Sequence, residues 1–224
     1  TVDGLCDIML RLRDSGAYNI NLVSPTQFIP QIASALRAVK GELAIPVIYN
    51  TGGYELPSSL RLLDGLVDVW LPDFKYCSPD LAAEYSAARD YPQIAAEALR
   101  AMYSLSGDCV FDSRGMILRG VIVRHLVLPG GLAGSRPALG WIAENLGKQT
   151  WVGLMSQYLP LHRSGEYPIL SRRIRQEEYD DVVSFLLSNG MDNVFTQDLE
   201  SAPLFVPDFG KEQPFGERAG KTRK

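Results

Sequence analysis

The sequence predicts an α/β fold, a barrel-like array of repeated β/α units on a mainly parallel sheet. Two observations carry that expectation. Short apolar runs alternate with amphipathic stretches along the whole chain, the pattern of β/α repetition. The 224 residues also suffice for one large domain with a sizeable core, and 46% hydrophobic against 21% charged residues is the balance of an ordinary globular protein. No composition break, low-complexity segment or short repeat divides the chain. Residues 1–209 therefore read as a single domain, and residues 210–224 as a solvated basic tail carrying Lys211, Arg218, Lys221, Arg223 and Lys224.

Residues 3–14 have helical spacing and stop at Gly16, and residues 18–24 read as a strand. A helix is predicted over 26–39, with Thr26 near its start and Pro30 in its first turn. The strand at 45–50 is closed by Thr51-Gly52-Gly53, and a short helix follows over 57–63. A strand covers 66–75, and helical pieces cover 79–87 and 91–106, the second entered by Asp90-Tyr91-Pro92. The long apolar run 117–128 is a strand ended by Pro129-Gly130-Gly131, and a helix spans 135–146. The strand at 150–158 stops before Pro160, and a loop with Gly165 and Pro168 leads to a helix over 176–188 that ends at Gly190. A short strand over 193–197 closes the series, for six strands in all.

The net charge of −4 leaves no basic field for nucleic acid. No run of about 18 apolar residues predicts a membrane span, and no signal peptide is read. Cys6, Cys77 and Cys109 lie far apart and form no C-x-x-C pair, which points to reduced thiols and a cytoplasmic location. Position 1 is Thr rather than Met, so the chain is expected to be a domain of a longer protein or a processed form.

In a β/α barrel, function gathers at the C-terminal ends of the strands. Alternation along 67–75 puts Val67, Val69, Leu71, Asp73 and Lys75 on one face, with Asp68, Trp70, Pro72 and Phe74 on the other. The first face runs from apolar to acid plus base, as a pocket-lining strand end does, and an ion pair at a strand end gives the same pattern. Ser24-Pro25-Thr26-Gln27 reads as an anion-binding turn or as an N-cap by Ser24 or Thr26. Asn50-Thr51-Gly52-Gly53 reads as a close backbone approach to a ligand or as a tight turn. Arg124 and His125 point to opposite faces, so at most one faces the barrel centre; a cation there needs a carboxylate or a ligand, and a buried histidine is equally a hydrogen-bonded core residue. Gln157 and Tyr158 end another apolar run. Two histidines without i, i+4 pairing give no zinc signature.

The ordered segments NINLVSPTQ, IPVIYNTGGYE, LLDGLVDVWLPDFKY, AAEYSAARDYP, RGVIVRHLVLPGG, LMSQYLP, the RRI-x3-EY segment and the closing Q-DLESAPLFVPDF resemble the radical S-adenosylmethionine superfamily, in its pyruvate formate-lyase-activating-enzyme-like subfamily. The resemblance runs from about residue 5 to about 215. It implies a partial (β/α)6 TIM-like barrel, here missing its first strand. It implies S-adenosylmethionine as cofactor and, in a full-length parent, a [4Fe–4S] cluster held by a C-x3-C-x2-C loop. The implied activity is that of an oxidoreductase. Reductive cleavage of S-adenosylmethionine gives a 5′-deoxyadenosyl radical, which abstracts hydrogen from a partner such as a glycyl-radical-type protein. Flavodoxin or ferredoxin would supply the electron. Carried over by position, Ser24, Thr26 and Gln27 meet the amino group of the ligand, in place of the family's glycine-glycine-glutamate. Asn50 and Thr51 meet the ribose side, and Asp73 and Lys75 the cofactor and activated substrate. Arg124 or His125 reaches the pocket, and Gln157 and Tyr158 close over the adenosyl group. The three-cysteine loop does not occur in this sequence, so cluster cysteines are expected upstream of Thr1 and no metal ligand is assigned here. Two other functions stay open: a non-catalytic barrel that binds S-adenosylmethionine or a protein partner, and a Schiff-base lyase using Lys75.

Overall fold

The computed structural model describes residues 1–200 of the 224. The last part of the expected domain, most of the closing DLESAPLFVPDF segment and the basic tail lie outside the described residues. Helix α1 (Val2–Asp14) is capped by Thr1, whose hydroxyl accepts the Gly4 N–H at 3.1 Å. Strand β1 (Ile20–Val23) leads through a 3₁₀ turn at Thr26–Phe28 into α2 (Ile29–Leu43). Then come β2 (Val47–Thr51), the short α3 (Pro57–Leu60), β3 (Val69–Pro72), α4 (Pro79–Ser86) and α5 (Tyr91–Ser106). The second half holds β4 (Val110–Phe111), β5 (Ile117–Leu126), α6 (Ser135–Asn145), β6 (Trp151–Met155), α7 (Gln176–Ser188) and β7 (Val194–Phe195). Pro30, Pro57, Pro79 and Pro92 all sit in first turns, where the missing N–H has no helical acceptor to lose.

Six strands pair in parallel in the order β1-β2-β3-β5-β6-β7. The result is an open, partial (β/α) barrel, as the alternation predicts. The sequence reading lacked β4, which pairs antiparallel with the start of β5 across an Asp112–Gly115 turn. Two residues are too few for a hydrophobic period to register. The helix expected over 26–39 begins later and runs on to Leu43, where Ala44 leaves it in a left-handed conformation at φ 51°. The predicted strand ends at 73–75 and 156–158 lie beyond the regular ladder: β3 ends at Pro72 with only an isolated Asp73–Arg124 bridge after it, and β6 ends at Met155.

Strand register sorts the side chains into two layers. Tyr49, Trp70, Val121 and Val152 belong to the outer layer, fully buried under the helices. Trp70 donates its indole N–H to the Ser106 hydroxyl of α5 at 2.9 Å, and Phe74 packs against Trp141 of α6. The inner layer is more open: Ile48, Leu71 and Ile122 are half-buried, and Val23 and Phe195 exposed. Burial on one face and access on the other is what leaves room for a ligand. Among the described residues, no helix is long and apolar enough to cross a membrane.

Candidate functional site

Parallel pairing puts the C-terminal ends of the strands on one rim, and the charged residues of β3 and β5 meet there. An isolated parallel bridge joins Asp73 to Arg124 beyond the end of β3. Asp73, only 8% exposed, turns one carboxylate oxygen to the Lys75 ammonium, and the Arg124 guanidinium lies 2.6 Å from the other. Two cations on one carboxylate leave a net positive site. The Arg124 contact is close but misaligned for a hydrogen bond, so Asp73 Oδ1 and Arg124 Nε are both buried without a hydrogen-bond partner. An acceptor and a donor left unmade in one place call for a ligand or water to complete them. Both residues line a cavity of about 170 Å³ with Lys75, Tyr76, Leu126, Leu128, Met155 and Gln157. That volume is below the roughly 300–1,000 Å³ of whole-ligand pockets, so the cavity takes one end of a larger molecule.

Of Arg124 and His125, the structure turns Arg124 to the cavity. His125 points to the outer layer and is fully buried. Its Nδ1 is 2.7 Å from the Phe74 carbonyl and its Nε2 is 2.9 Å from the Ser135 hydroxyl. A carbonyl only accepts, so Nδ1 carries the proton and Nε2 accepts from Ser135. Desolvation pulls the imidazole pKa down to about 4 against the weaker opposing pulls of the Phe74 carbonyl and Asp73.

Other expected site residues are dispersed. Ser24, at φ 51°, and Gln27 line a separate cavity of about 660 Å³ at the free edge of β1. Neither Ser24 nor Thr26 caps α2, whose N-cap position is Phe28 without a side-chain bond. Thr26 and Thr51 donate their hydroxyls to Glu55 Oε1 at 2.6 Å each, and Tyr49 does so at 3.1 Å. Thr51 faces the outer layer with Tyr49 because both sit on the same side of β2, whereas Asn50 lies on the inner row. Tyr158 donates to the Leu170 carbonyl at 2.7 Å rather than entering the cavity. Lys75 places its ammonium on the Asp73 carboxylate. Among the described residues, no three His, Cys, Asp or Glu side chains converge as metal ligands, and the three cysteines are unpaired.

Three residues absent from the sequence-based site shape it. Tyr76 walls the cavity. Tyr91, buried at the entry to α5, accepts the Lys75 N–H at 3.0 Å, and its hydroxyl lies 3.0 Å from both the Gly52 and Asp73 carbonyls. Burial drives its phenol pKa far above the usual tyrosine range. Glu178, on α7, binds the loops after β5 and β6. It accepts both Arg172 nitrogens (2.7 and 2.8 Å) and the Gly130 and Arg175 N–H groups (2.8 Å each). The Arg172 hydrogen bonds are the main reason its carboxyl is held down to about 2. Glu178→Gln is expected to lower stability by about 2 kcal/mol in urea titrations at neutral pH. A depressed carboxyl contributes fully above its unfolded pKa, so the wild-type advantage should fade only as pH falls from about 4.5 towards 2.

No family model matches the chain. It is 28% identical over 180 residues to an uncharacterised protein of Methanocaldococcus jannaschii, a match covering 79% of this chain and 48% of that protein. The chain thus spans about half the length of the curated relative it matches. Among solved structures, it superposes on a domain of pyruvate-formate lyase-activating enzyme from Bacteroides vulgatus with a TM-score of 0.58 and 11% identity, covering 82% of this chain and 99% of that one. HydG, a maturase of the [FeFe]-hydrogenase, gives a TM-score of 0.55 at 12% identity over 88% of this chain and 44% of HydG. HydG from Carboxydothermus hydrogenoformans gives 0.52, again at 12% identity, over 88% and 45%. The likeness is one of fold. At these identities the shared barrel is established, and the chemistry of the site has to be argued from its own residues.

Proposed function

We propose that this chain is the ligand-binding body of a radical S-adenosylmethionine enzyme of the activating-enzyme type, and that Asp73, Lys75, Arg124 and Gln157 receive one end of S-adenosylmethionine. The observation that carries the reading is the cavity at the strand ends, where Arg124 Nε is buried without a hydrogen-bond partner and Asp73 Oδ1 is held only by its ion pair with Arg124. The ordered sequence motifs and the barrel fold support it. When bound, S-adenosylmethionine supplies radical chemistry at its 5′ carbon. The residues of this chain bind and orient it. Lys75 and Arg124 offer positive charge and N–H donors to a carboxylate. Asp73 Oδ1 accepts from an ammonium or a hydroxyl group, and Leu126, Leu128 and Met155 keep bulk water from the pairing. An iron–sulfur cluster does not fit the described residues, which hold no ligand set for it. The substrate proposed on the resemblance is a glycyl-radical-type protein, with flavodoxin or ferredoxin as electron donor.

Isothermal titration of the chain with S-adenosylmethionine tests the reading. Wild type is expected to bind, and Asp73→Asn and Arg124→Met each to weaken binding by about 10- to 100-fold, the loss of one charge-assisted hydrogen bond. Equal affinity in wild type and both variants would remove this cavity from the binding site.

A further inference from the structure

We propose that the buried His125–Ser135 pair is a positioning device for the strand-end site: by holding the Phe74 carbonyl it fixes the orientation in which Asp73 and Lys75 face the cavity. The proposal rests on the ligand-site reading above for its functional consequence, and on the hydrogen-bond geometry for its existence.

Phe74 separates the two site residues, so its two peptide planes set the directions of both their side chains. Its N–H continues the parallel ladder, donating to the Arg124 carbonyl at 2.9 Å. In a ladder that went on, its carbonyl would take a main-chain N–H from β5. The imidazole of His125 takes that place at 2.7 Å. The ring is itself held from the far side by the Ser135 hydroxyl at 2.9 Å, and Ser135 is fixed in the first turn of α6. Ring orientation is therefore set by three elements at once: the Phe74 carbonyl beyond β3, His125 on β5 and Ser135 on α6. Tyr91 completes the hold on the same segment through Lys75 N–H and the Asp73 carbonyl. This tripeptide lies beyond the regular end of β3, where an unassisted strand end frays. Both side-chain holds come from residues with no access to the cavity: His125 is fully buried and Tyr91 is 5% exposed. A neutral ring suits the role, since a charged one would donate from both nitrogens and lose the Ser135 hydroxyl as donor.

The test uses two replacements of the same ring. In His125→Asn the amide N–H can take over the donation from Nδ1, and in His125→Leu nothing can. S-adenosylmethionine affinity is read by titration, alone and in the Asp73→Asn background, with the thermal midpoint recorded for each protein. His125→Leu is expected to weaken binding by about tenfold or more, His125→Asn to restore most of it, and His125→Leu to have little further effect once Asp73 is Asn. Two proteins that lose stability alike while keeping wild-type affinity would overturn the proposal, as would an undiminished effect in the Asp73→Asn background. Should His125→Leu not fold, Ser135→Ala frees only Nε2 and serves in its place. If wild type binds no S-adenosylmethionine, the ligand reading fails separately. The positioning is then read from backbone amide resonances in Ser135→Ala, where shifts concentrated at 73–75 support it and none there overturn it.

Discussion

Gly53→Ala is expected to cost about 4 kcal/mol or more of folding stability, at the upper end of single substitutions. Gly53 sits at φ 81°, in the left-handed region, and a Cβ there would lie 2.2 Å from the Asp73 carbonyl oxygen and 3.3 Å from its carbon. The obstacle is main chain, so no rotamer change relieves it. The loop after β2 and the end of β3 must move apart, and Asp73 moves with them. Loss of stability and loss of the Asp73–Arg124 pairing should therefore appear together. Urea titration gives the first, and S-adenosylmethionine titration of the folded fraction gives the second. The same exchange at Gly41, where a Cβ meets nothing within 4 Å in the last turn of α2, is expected to be neutral or mildly stabilising. Equal tolerance at the two positions would contradict the packing described.

Acid is expected to remove about 3 kcal/mol of stability between pH 6.5 and about 4, through His125 alone. The folded ring resists protonation down to about 4, while the unfolded ring takes its proton near the ordinary histidine value of 6.5. Between those values the unfolded state binds more protons, so stability is fully present above the unfolded pKa and falls as pH drops through the window. Against a total of roughly 5–15 kcal/mol, that loss is large. Urea midpoints measured every half pH unit should decline over this range in wild type and stay flat in His125→Asn. The Glu178 contribution falls mostly below it, so the two are separable in pH. A wild-type curve flat from 7 to 4.5 would mean that the ring is accessible to protons in the folded state.

Much of the fold was legible because it depends on short-range patterns. The run 67–75 announced both its strand and its two faces, and Trp70 and Phe74 do pack outward while Asp73 and Lys75 turn inward. The prolines at 30, 57, 79 and 92 marked helix starts because their fixed φ and missing N–H fit only a first turn. What the pattern misjudged was local competition. Thr26 looked like a helix cap, yet its hydroxyl goes to Glu55, a buried carboxylate that also takes the hydroxyls of Tyr49 and Thr51. No spacing rule reveals that a glutamate 29 positions away will outbid a helix terminus for a threonine.

The sequence by itself determined the β/α alternation, the strand whose upper end carries Asp73 and Lys75, and the fact that only one of Arg124 and His125 can face inward. Each follows from a period of two or 3.6 residues, which neighbouring side chains already contain. Tertiary structure alone decided that Arg124 is the inward one and that it reaches Asp73. It also placed Tyr91 and His125 on the carbonyls of Asp73 and Phe74, and it bound the loops through Glu178. Those contacts join residues 18 to 51 positions apart. Their geometry is fixed by strand register and helix placement, which depend on how the whole core packs.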